Sequence, residues 1–512
     1  MDFKINKETV SSAETVYSGI QEHGVELDYI LPDYYPDVFR LIRCEVCPVI
    51  TERSVSGDKL SYELCCDIRL IYSGENGAPL QCISQRQSFS KTIELSSTPQ
   101  SPEIKLTAKA DHINFRAVNK RRLDVRGAVS VQITVTGEKP REVVSDAFGM
   151  NIQLKKLPVR YAAKKLSAEK QIQLCETMEL TSAQPDIIGV IRTGCTVGDC
   201  ERKLISGKIL VKGEAAVTML YSCESGIESA EISLPFSQIV DMEGVDDTFI
   251  CTAEAEVMGC AVTPVPDKNG ANRSLRLEPE LRIRCRAVKP AELMAVTDAY
   301  STVYPCDMSR ELIPAEQVPS VYRESFRHTA KLFKGDDVPK KIFAMWCSPK
   351  NINTHVGSDG KSVVISGMLT YSMAAEDESG AIIMPDRDEA FEETFDLGDD
   401  LSGQTITAEP GNITVSYNIS AEGELTAKAD AAVRLYAAGS SGIRGITELS
   451  VDDTVKKSRD GDYAIKLYFC GENEDIWDIA KRFATEVDAI AEENELTENK
   501  TEKGSMLLIP IK

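Results

Sequence analysis

Four cysteines near the beginning of the chain offer the clearest candidate for chemistry, a zinc site. Cys44 and Cys47 have CxxC spacing, and Cys65 with Cys66 would complete four thiol ligands. In an extended strand, however, adjacent residues and residues three apart point to opposite faces of the sheet. Thr193 also stands where Cys44 does, in a second copy of the surrounding motif. These observations favour small buried thiols, and no metal site is predicted.

Other patterns that could carry catalysis are incomplete. The segment Gly360–Ser362 ends like a phosphate-binding loop, but such a loop needs a glycine five residues earlier, where His355 stands. Histidines are too scattered to indicate a Ser-His-Asp or Cys-His site. We therefore predict a protein that is not an enzyme, with no catalytic residue and no cofactor. The four histidines are His23, His112, His328 and His355.

One motif occurs three times in the chain. It reads Pro36–Cys44, then Pro185–Thr193, and in a weaker form Pro339–Cys347. A period of about 150 residues is too long for a solenoid, whose units run to roughly 20–50 residues, and it suits tandem domains of one fold. An acidic turn follows each copy and ends in a glycine 41 residues beyond the proline: Gly77, Gly226 and Gly380.

The Pro-Asp pair of this motif is predicted to be structural. Pro36 and Pro185 would fix φ in a turn or at a first helical position. Asp37 and Asp186 would then face a helix end or free backbone amides, which favour a carboxylate. The three turn glycines belong to the same structural motif.

Strand patterns dominate the first 440 residues. Alternation such as Ala128–Val135 and Leu281–Val288 predicts antiparallel strands with one buried face, and helical periodicity is scarce before residue 470. The predicted fold is multidomain and mainly β, with three tandem sandwich- or barrel-like repeats and a small α/β module. The predicted opening segment is 1–28, which is either a paired strand or loose chain. The three repeats are predicted at 29–150, 168–296 and 320–445, the last of them divergent, and the module at 461–512. Lys-rich or Pro-rich linkers are expected at about 139–168, 296–320 and 452–460.

Charge and composition exclude some functions. The net charge of −22 over 512 residues disfavours binding to nucleic acid or anionic membrane, because phosphate attraction needs clustered Lys and Arg. No apolar run is long enough for a signal peptide or a membrane span. We expect a soluble cytoplasmic protein, whose fifteen cysteines are mostly reduced.

The closing segment changes character to strand–helix–helix–strand. It resembles a LysM domain over its whole length. One departure is the triplet Asn473–Asp475, where wall-binding LysM domains usually carry Gly-Asp-Thr, and this disfavours glycan binding and favours a protein partner. The resembling positions are Tyr463, Ile476, Trp477, Ile479, Ala480, Phe483, Ile490, Asn494, Leu496, Gly504, Leu507, Ile509 and Pro510.

The resemblance implies where a partner would bind. In LysM domains the ligand lies between the loop before the first helix and the loop after the second. An aromatic side chain flanked by carboxylates suits a partner surface that is apolar and basic. The predicted partner-binding residues are Asn473, Glu474, Asp475, Ile476, Trp477, Asn494 and Leu496.

The repeats resemble another family. The Pro-Asp motif, the pairs Tyr72-Ser73 and Tyr221-Ser222, and the segment Asn119–Val129 are similar to the SPOCS domain of endospore-forming bacteria. SPOCS repeats followed by a LysM module resemble the SipL-like family of spore coat assembly proteins. The third repeat, which lacks the Pro-Asp pair, is similar only as a divergent copy.

This resemblance implies a non-enzymatic adaptor in the mother-cell cytoplasm, at the forespore surface. Its LysM module would bind the coat-basement morphogenetic ATPase, and its repeats would help to gather other coat proteins. Two alternatives remain open. One is a cell-wall protein that binds peptidoglycan- or chitin-type glycans, and the other is a general scaffold unrelated to spores.

Overall fold

The computed structural model describes residues 3–75, 79–266, 270, 272–458, 463–471, 473–496, 500–501 and 504–511. Strands account for 74% of the structure and helices for 4%, which confirms the predicted mainly β, multidomain class. Among these residues, no helix is long and apolar enough to cross a membrane.

The first unit consists of two antiparallel sheets of three strands, in the orders β1-β6-β5 and β2-β3-β4. Apolar side chains from both sheets, such as Leu60 and Val125, form its core. The opening segment pairs as a strand from Lys4, opposite Phe148, to Ile30, opposite Arg122. The strands are β1 (Lys4–Ile30), β2 (Val38–Ser56), β3 (Lys59–Gly74), β4 (Gln81–Glu94), β5 (Gln100–Asn119) and β6 (Arg122–Phe148).

The second unit repeats this plan with some strands divided. One sheet has the order β13-β14-β7, with β8 also on β14, and the other has the order β10-β11-β12, with β9 also on β11. A separate core lies between the two sheets. The strands are β7 (Ile152–Gln173), β8 (Glu176–Glu179), β9 (Gly189–Val197), β10 (Glu201–Ile205), β11 (Lys208–Cys223), β12 (Gly226–Asp241), β13 (Ile250–Val265) and β14 (Ser274–Ser301).

The third unit has the same strand succession. Its sheets are β16-β22-β21 and β17-β18 with β19 and β20, and a 3-10 turn at Gly335–Asp337 precedes β17. Strands β15 and β23 pair as a separate ribbon. The strands are β15 (Cys306–Glu316), β16 (Ser320–Lys334), β17 (Lys341–Val356), β18 (Ser362–Glu376), β19 (Ile382–Ile383), β20 (Asp386–Asp396), β21 (Thr405–Ile419), β22 (Glu424–Ala438) and β23 (Ser440–Val451).

Three two-stranded ribbons, one from each unit, form what we call the stalk. Its ribbons are 4–13 with 138–148, 152–162 with 290–301, and 306–316 with 440–451. Buried apolar residues of all three ribbons, including Val143, Leu293 and Ile313, pack into shared clusters. Residues expected to form the first two linkers are therefore mostly strands of the stalk. Their regular alternation is hidden in the sequence because lysines occupy positions that pair with acidic residues of neighbouring ribbons, as Lys156 does with Asp146 at 2.8 Å.

The three units also meet at β2, β9 and β17, the strands into which the three copies of the repeated motif run. Arg43, Arg192 and Trp346 each stand seven residues after the motif proline, and the structure brings them together. Arg43 and Arg192 both donate to the carboxylate of Glu45, at 2.8 and 3.1 Å. We call these four residues the three-repeat junction. Apolar residues of all three units, among them Leu220, surround it.

The chain ends in a small module, residues 463–511 as described. Its two strands pair antiparallel, and two short helices cover one face of them, which agrees with the strand–helix–helix–strand order expected from the sequence. Its core contains Ile476, Ile479 and Leu507 together with Tyr300 of the stalk. The elements are β24 (Ile465–Phe469), α1 (Ile476–Phe483), α2 (Val487–Glu493) and β25 (Met506–Pro510).

Candidate functional site

The loop before α1 is held by local hydrogen bonds. The carboxylate of Asp475 caps the helix by accepting from the backbone N–H of Trp477 at 2.9 Å, as helix N-termini favour. The carboxylate of Glu474 accepts from the Tyr468 hydroxyl and from the Gly471 N–H, both at 3.0 Å. Asn473 is exposed and has a φ of 58°. The structure thus brings the residues of this predicted loop together, but bonds within the module use much of their polar capacity.

The loop after α2 serves the module's own architecture. The side-chain amide of Asn494 donates to the carbonyls of Ile490 and Leu508 at 2.8 and 2.7 Å, and its oxygen accepts from the Leu508 N–H at 2.7 Å. These bonds tie the end of α2 to β25. Leu496 is half-buried against the same core. Asn494 is therefore placed to hold the fold rather than to face a ligand.

Trp477 contacts the stalk. Its side chain is 8% exposed and its ring packs edge-on against Tyr300, with centroids 4.9 Å apart. The indole N–H donates to Asp298 at 2.8 Å, and the ammonium group of Lys481 donates to the same carboxylate at 2.7 Å. Ile476, beside it in the chain, is 2% exposed in the module core. Ile476 and Trp477 of the predicted groove are thus buried within the chain, and their binding of a partner remains a prediction.

The cross-strand pair Asp298 and Lys155 holds the module at two points. These residues lie opposite each other in the second ribbon, directly after a bulge between Val296 and Asp298. Such a bulge re-aims the following side chains. Lys155 donates to Asp475 at 2.5 Å, while Asp298 binds the helix residues. The two residues thus present opposite charges to complementary groups of the module.

Electrostatics favour the ionised form of Asp298. Burial alone would raise the pKa of this carboxyl group, but hydrogen bonds from Lys481 and Trp477, and the charges of Lys481 and Arg310, lower it below its usual value. Burial raises the pKa of the Tyr300 phenol, whose hydroxyl donates to the Thr485 carbonyl at 2.7 Å. The contact between the module and the stalk therefore combines charged hydrogen bonds with one aromatic pair, Trp477 and Tyr300. We call it the docking contact.

Asp298 and Tyr300 were not among the residues predicted from the sequence. A signal for them is present, because the segment Val296–Tyr300 has a close counterpart in Val144–Phe148 of the first unit. Both segments carry a bulge, and both carboxylates accept from the next backbone N–H at 2.9 Å. Phe148, which matches Tyr300, is 52% exposed because no module covers it.

The outer face of β24 and β25 is apolar and open. Ile465, Leu467 and Phe469 alternate along β24 and are 46%, 56% and 71% exposed, and Met506 opposite Phe469 is 53% exposed. The intervening Tyr468 points to the helices, where its ring packs against Phe483 at 5.4 Å. We call the four exposed residues the outer face. Solvent-facing clusters of this kind mark interaction sites.

The Pro-Asp motif meets an arginine rather than a helix end. Arg121, in the turn between β5 and β6, donates to Asp37 at 2.7 Å and to the carbonyls of Leu31 and Pro32 at 3.1 and 2.7 Å. No helix lies among the described residues of this loop. The expectation of a helix end or free amides was wrong in this detail, because an arginine from a distant hairpin supplies the positive charge.

The second unit has the same arrangement. Arg273 donates to Asp186 at 2.6 Å and to the carbonyls of Thr181 and Gln184 at 2.9 and 3.1 Å. In the third unit Lys340 replaces the aspartate and Gly423 occupies the hairpin turn. The third repeat therefore lacks both the aspartate and the arginine, and this joint loss is the signal in the sequence that the two residues form a pair. We call each Asp–Arg pair with its loop carbonyls a latch.

The turn glycines fit the predicted structural role in two of the three repeats. Gly226 has a φ of 123° and Gly380 a φ of 79°, a region that favours glycine. The N–H of Gly380 donates to the Asp377 carbonyl at 3.0 Å and closes its turn. Gly77 lies outside the described residues.

The polar groups that could suggest catalysis or metal binding are dispersed. His23 and His328 bond to the tyrosine hydroxyls of Tyr62 and Tyr371 at 2.8 and 2.9 Å, in different units. Burial, with a smaller contribution from the charge of Lys91, lowers the pKa of His23. No group of three or more His, Cys, Asp or Glu residues in the described ranges could hold a metal ion.

Fold and site together define a modular β-rich protein that presents an apolar face on a small terminal module. A family model described as "SipL, SPOCS domain" matches residues 37–118 and 186–265, so two segments of the chain are similar to the SPOCS domain. The two segments make up less than a third of the chain. The first match begins at Asp37 and ends within β5, and the second begins at Asp186 and ends at the last residue of β13. No curated protein and no solved structure matches the chain.

Proposed function

We propose that this protein is a non-enzymatic adaptor for spore coat assembly that acts in the mother-cell cytoplasm at the forespore surface. The SPOCS match supports a coat-related role. The third unit, which repeats the strand order of the other two, and the LysM-like terminal module complete the architecture of such an adaptor. Its partner is the coat-basement morphogenetic ATPase, as the resemblance implies, and other coat proteins bind the repeats.

The observation that carries the proposal is the outer face of the terminal module. Four large apolar side chains in a chain of net charge −22 are solvent-exposed on one side of a two-stranded sheet. Burying such a cluster against a partner removes apolar area from water and favours association, offset in part by the entropy lost on binding.

The docking contact supports a protein partner over a glycan. The aromatic side chain expected at the LysM groove, Trp477, is covered by Tyr300 and Asp298 of the same chain. A sugar polymer would have to displace this contact. The outer face, in contrast, is open while the module is docked.

The test is binding of the purified full chain to the purified ATPase, measured by titration calorimetry. Phe469→Asp and Leu467→Asp should each weaken binding about 30-fold or more if these residues are interface hot spots, which are worth roughly 2 kcal/mol. Leu312→Asp is the matched control, because Leu312 is 65% exposed on the stalk, and it should leave affinity unchanged.

Two results would contradict the proposal. Native affinity of both module variants would show that the outer face is not the binding surface. Firm co-sedimentation of the full chain with purified peptidoglycan, lost in the Trp477→Ala variant, would favour the glycan-binding alternative.

A further inference from the structure

The α1 face of the terminal module is occupied by a short strand segment of the stalk. This segment is Asp298–Tyr300, in which a carboxylate stands two residues before an aromatic ring. Residues two apart in a strand point to the same side, so both side chains reach the module, while Ala299 between them is buried in the stalk. The single carboxylate accepts from two donors of α1, Trp477 and Lys481, at 2.8 and 2.7 Å. The segment is therefore held as a ligand is, by side chains at a fixed spacing.

The rest of the contact involves the aromatic ring and the neighbouring strand. The hydroxyl of Tyr300 donates to the Thr485 carbonyl, just after α1, at 2.7 Å. Lys155, which lies opposite the carboxylate on the paired strand, donates to Asp475, the cap of the same helix, at 2.5 Å. Three groups thus define the bound segment: a carboxylate, a tyrosine two residues later, and a cation on the adjacent strand.

The first ribbon provides a comparison within the same chain. Its equivalent segment, Asp146–Phe148, also has a carboxylate two residues before an aromatic ring. It lacks the hydroxyl group, and Asn6 stands opposite the aspartate where the second ribbon has Lys155. Strand β23, from which the chain leads to the module, packs against both β6 and β14. The occupied segment and the open one therefore differ in two groups that the module contacts.

The contact is small, polar and tethered, which suits it to exchange. The backbone N–H of Lys457 donates to the Val303 carbonyl at 2.8 Å, and its ammonium group donates to the Ser301 carbonyl at 2.7 Å. These bonds hold the connection to the module at the end of the stalk. A module tethered so closely meets its binding segment at an effective concentration on the order of 1 mM, so a weak contact is enough to keep it docked. A separate segment of the same chemistry competes with the tethered one.

We propose that the α1 face is a binding site for extended protein segments that carry a carboxylate two residues before a tyrosine, and that the second ribbon occupies it as an internal ligand. The partner is a protein that presents such a segment in a strand, with a basic residue on the adjacent strand. It displaces the stalk and takes the positions of Asp298 and Tyr300. This surface is separate from the outer face, and the inference does not depend on the proposed adaptor function.

The probe is a fluorescently labelled cyclic peptide that joins residues 152–157 to residues 295–301, which pair in the second ribbon. Its binding to the purified full chain is measured by fluorescence anisotropy. Asp298→Asn and Lys155→Gln weaken the internal ligand and leave the module unchanged, so each variant should bind the peptide about ten-fold or more tightly than the natural protein does. Asp307→Asn, at an exposed position of the neighbouring ribbon, is the control and should match the natural protein.

Changes in α1 and in the peptide test the recognised groups. In the Asp298→Asn chain, a further Lys481→Met substitution should weaken peptide binding about ten-fold, because a charged hydrogen bond to the peptide carboxylate is lost. Within the peptide, Asp298→Asn should weaken binding more than Tyr300→Phe.

Three results would overturn the proposal. The first is equal peptide affinity of the natural protein and both stalk variants. The second is an affinity that Lys481→Met leaves unchanged. The third is a peptide that fails to bind the Asp298→Asn chain although limited proteolysis shows its module to be detached.

Discussion

The guanidinium group of Arg192 lies 4.0 Å from the ring centroid of Trp346. Both residues stand seven positions after the proline of the repeated motif, in the second and third repeats, so equivalent positions of two repeats are in direct contact. Arg43 of the first repeat completes the group, 5.5 Å from the same ring. The aromatic ring gives the two cations a favourable face at a place where a third cation would be repelled.

Restoring the repeat consensus at the third position should therefore destabilise the protein. Trp346→Arg would bring a third guanidinium to the single carboxylate of Glu45 and remove both cation–π contacts. We expect a loss of roughly 2 kcal/mol or more in unfolding free energy, measured by thermal and denaturant unfolding. Trp346→Tyr keeps an aromatic face and should lose about 1 kcal/mol. Equal stability of the Arg variant and the natural protein would contradict the role of the ring.

Glu45 should make the junction sensitive to acid. Burial raises the pKa of this carboxyl group, but the charges and hydrogen bonds of Arg192 and Arg43 outweigh it and lower the pKa. Because the native pKa lies below the unfolded one, the stabilisation is complete above the ordinary pKa of about 4.3 and is lost as pH falls through the native value.

Glu45→Gln tests this linkage. It leaves two arginines without their shared charge partner, and we expect it to cost about 3 kcal/mol at neutral pH. The variant should also lose the part of the pH dependence that Glu45 supplies below pH 5. Melting temperatures measured between pH 3 and 7 for both proteins give the comparison. Parallel curves for the two proteins would argue against the assignment.

Removing the aspartate of a latch should destabilise the protein less than removing its arginine. Asp186→Ala removes an ion pair whose carboxylate side chain is 53% exposed, and should cost about 0.5–1 kcal/mol. Arg273→Ala also leaves the carbonyls of Thr181 and Gln184 without their donor, and should cost about 1–3 kcal/mol. Hydrogen exchange of the amides in the loop 181–186 would report the local change.

Arg276→Ala is the matched control for the latch, since Arg276 lies three residues after Arg273, on β14, and its side chain is 53% exposed. It should leave exchange in the loop unchanged. If Asp186→Ala instead abolished partner binding with normal exchange, the motif would be an interface rather than a latch.

The docking contact should open when Asp298 loses its charge. In Asp298→Asn, Lys481 loses its charge partner, and the module should detach more often. Limited proteolysis should then cut faster within residues 452–462, which connect the stalk to the module. Asp307→Asn, at an exposed position of the neighbouring ribbon, should leave the cutting rate unchanged.

Acid should have the same effect on the natural protein. The pKa of Asp298 is lowered, so docking is complete above the ordinary aspartate pKa of about 3.9 and weakens as pH falls through the native value. The Asp298→Asn variant should lack this step. Trp477→Phe keeps an aromatic ring and removes the indole N–H, so its rate of proteolytic cutting should lie between those of the natural protein and Asp298→Asn. A cutting rate equal to that of the natural protein would show that the bond from the indole N–H is dispensable.

Local patterns in the sequence predicted the strands and the terminal module, because alternation and helix capping depend on near neighbours. The order of the four module elements is an example. The sequence could also show that positions 43, 192 and 346 are equivalent. It could not show that they touch, because that contact depends on how three cores pack against one another.

The outer face was missed for a related physical reason. Ile465, Leu467 and Phe469 alternate with polar neighbours, which normally indicates the buried face of a strand. Here the helices cover the opposite face, where Tyr468 packs against Phe483, so the apolar face is outside. Trp477, which was predicted to face a partner, is covered by Tyr300 from a segment 177 positions earlier in the chain, and the sequence could not show this long-range contact.

The stalk joins three similar units of a single polypeptide, and only its second ribbon carries a terminal module. Three separate chains of one unit each would display three modules around their common centre, and would link neighbouring partners into a network. A single chain that closes the same arrangement on itself presents one such module. Under the proposed adaptor function, each chain therefore offers its partner one outer face.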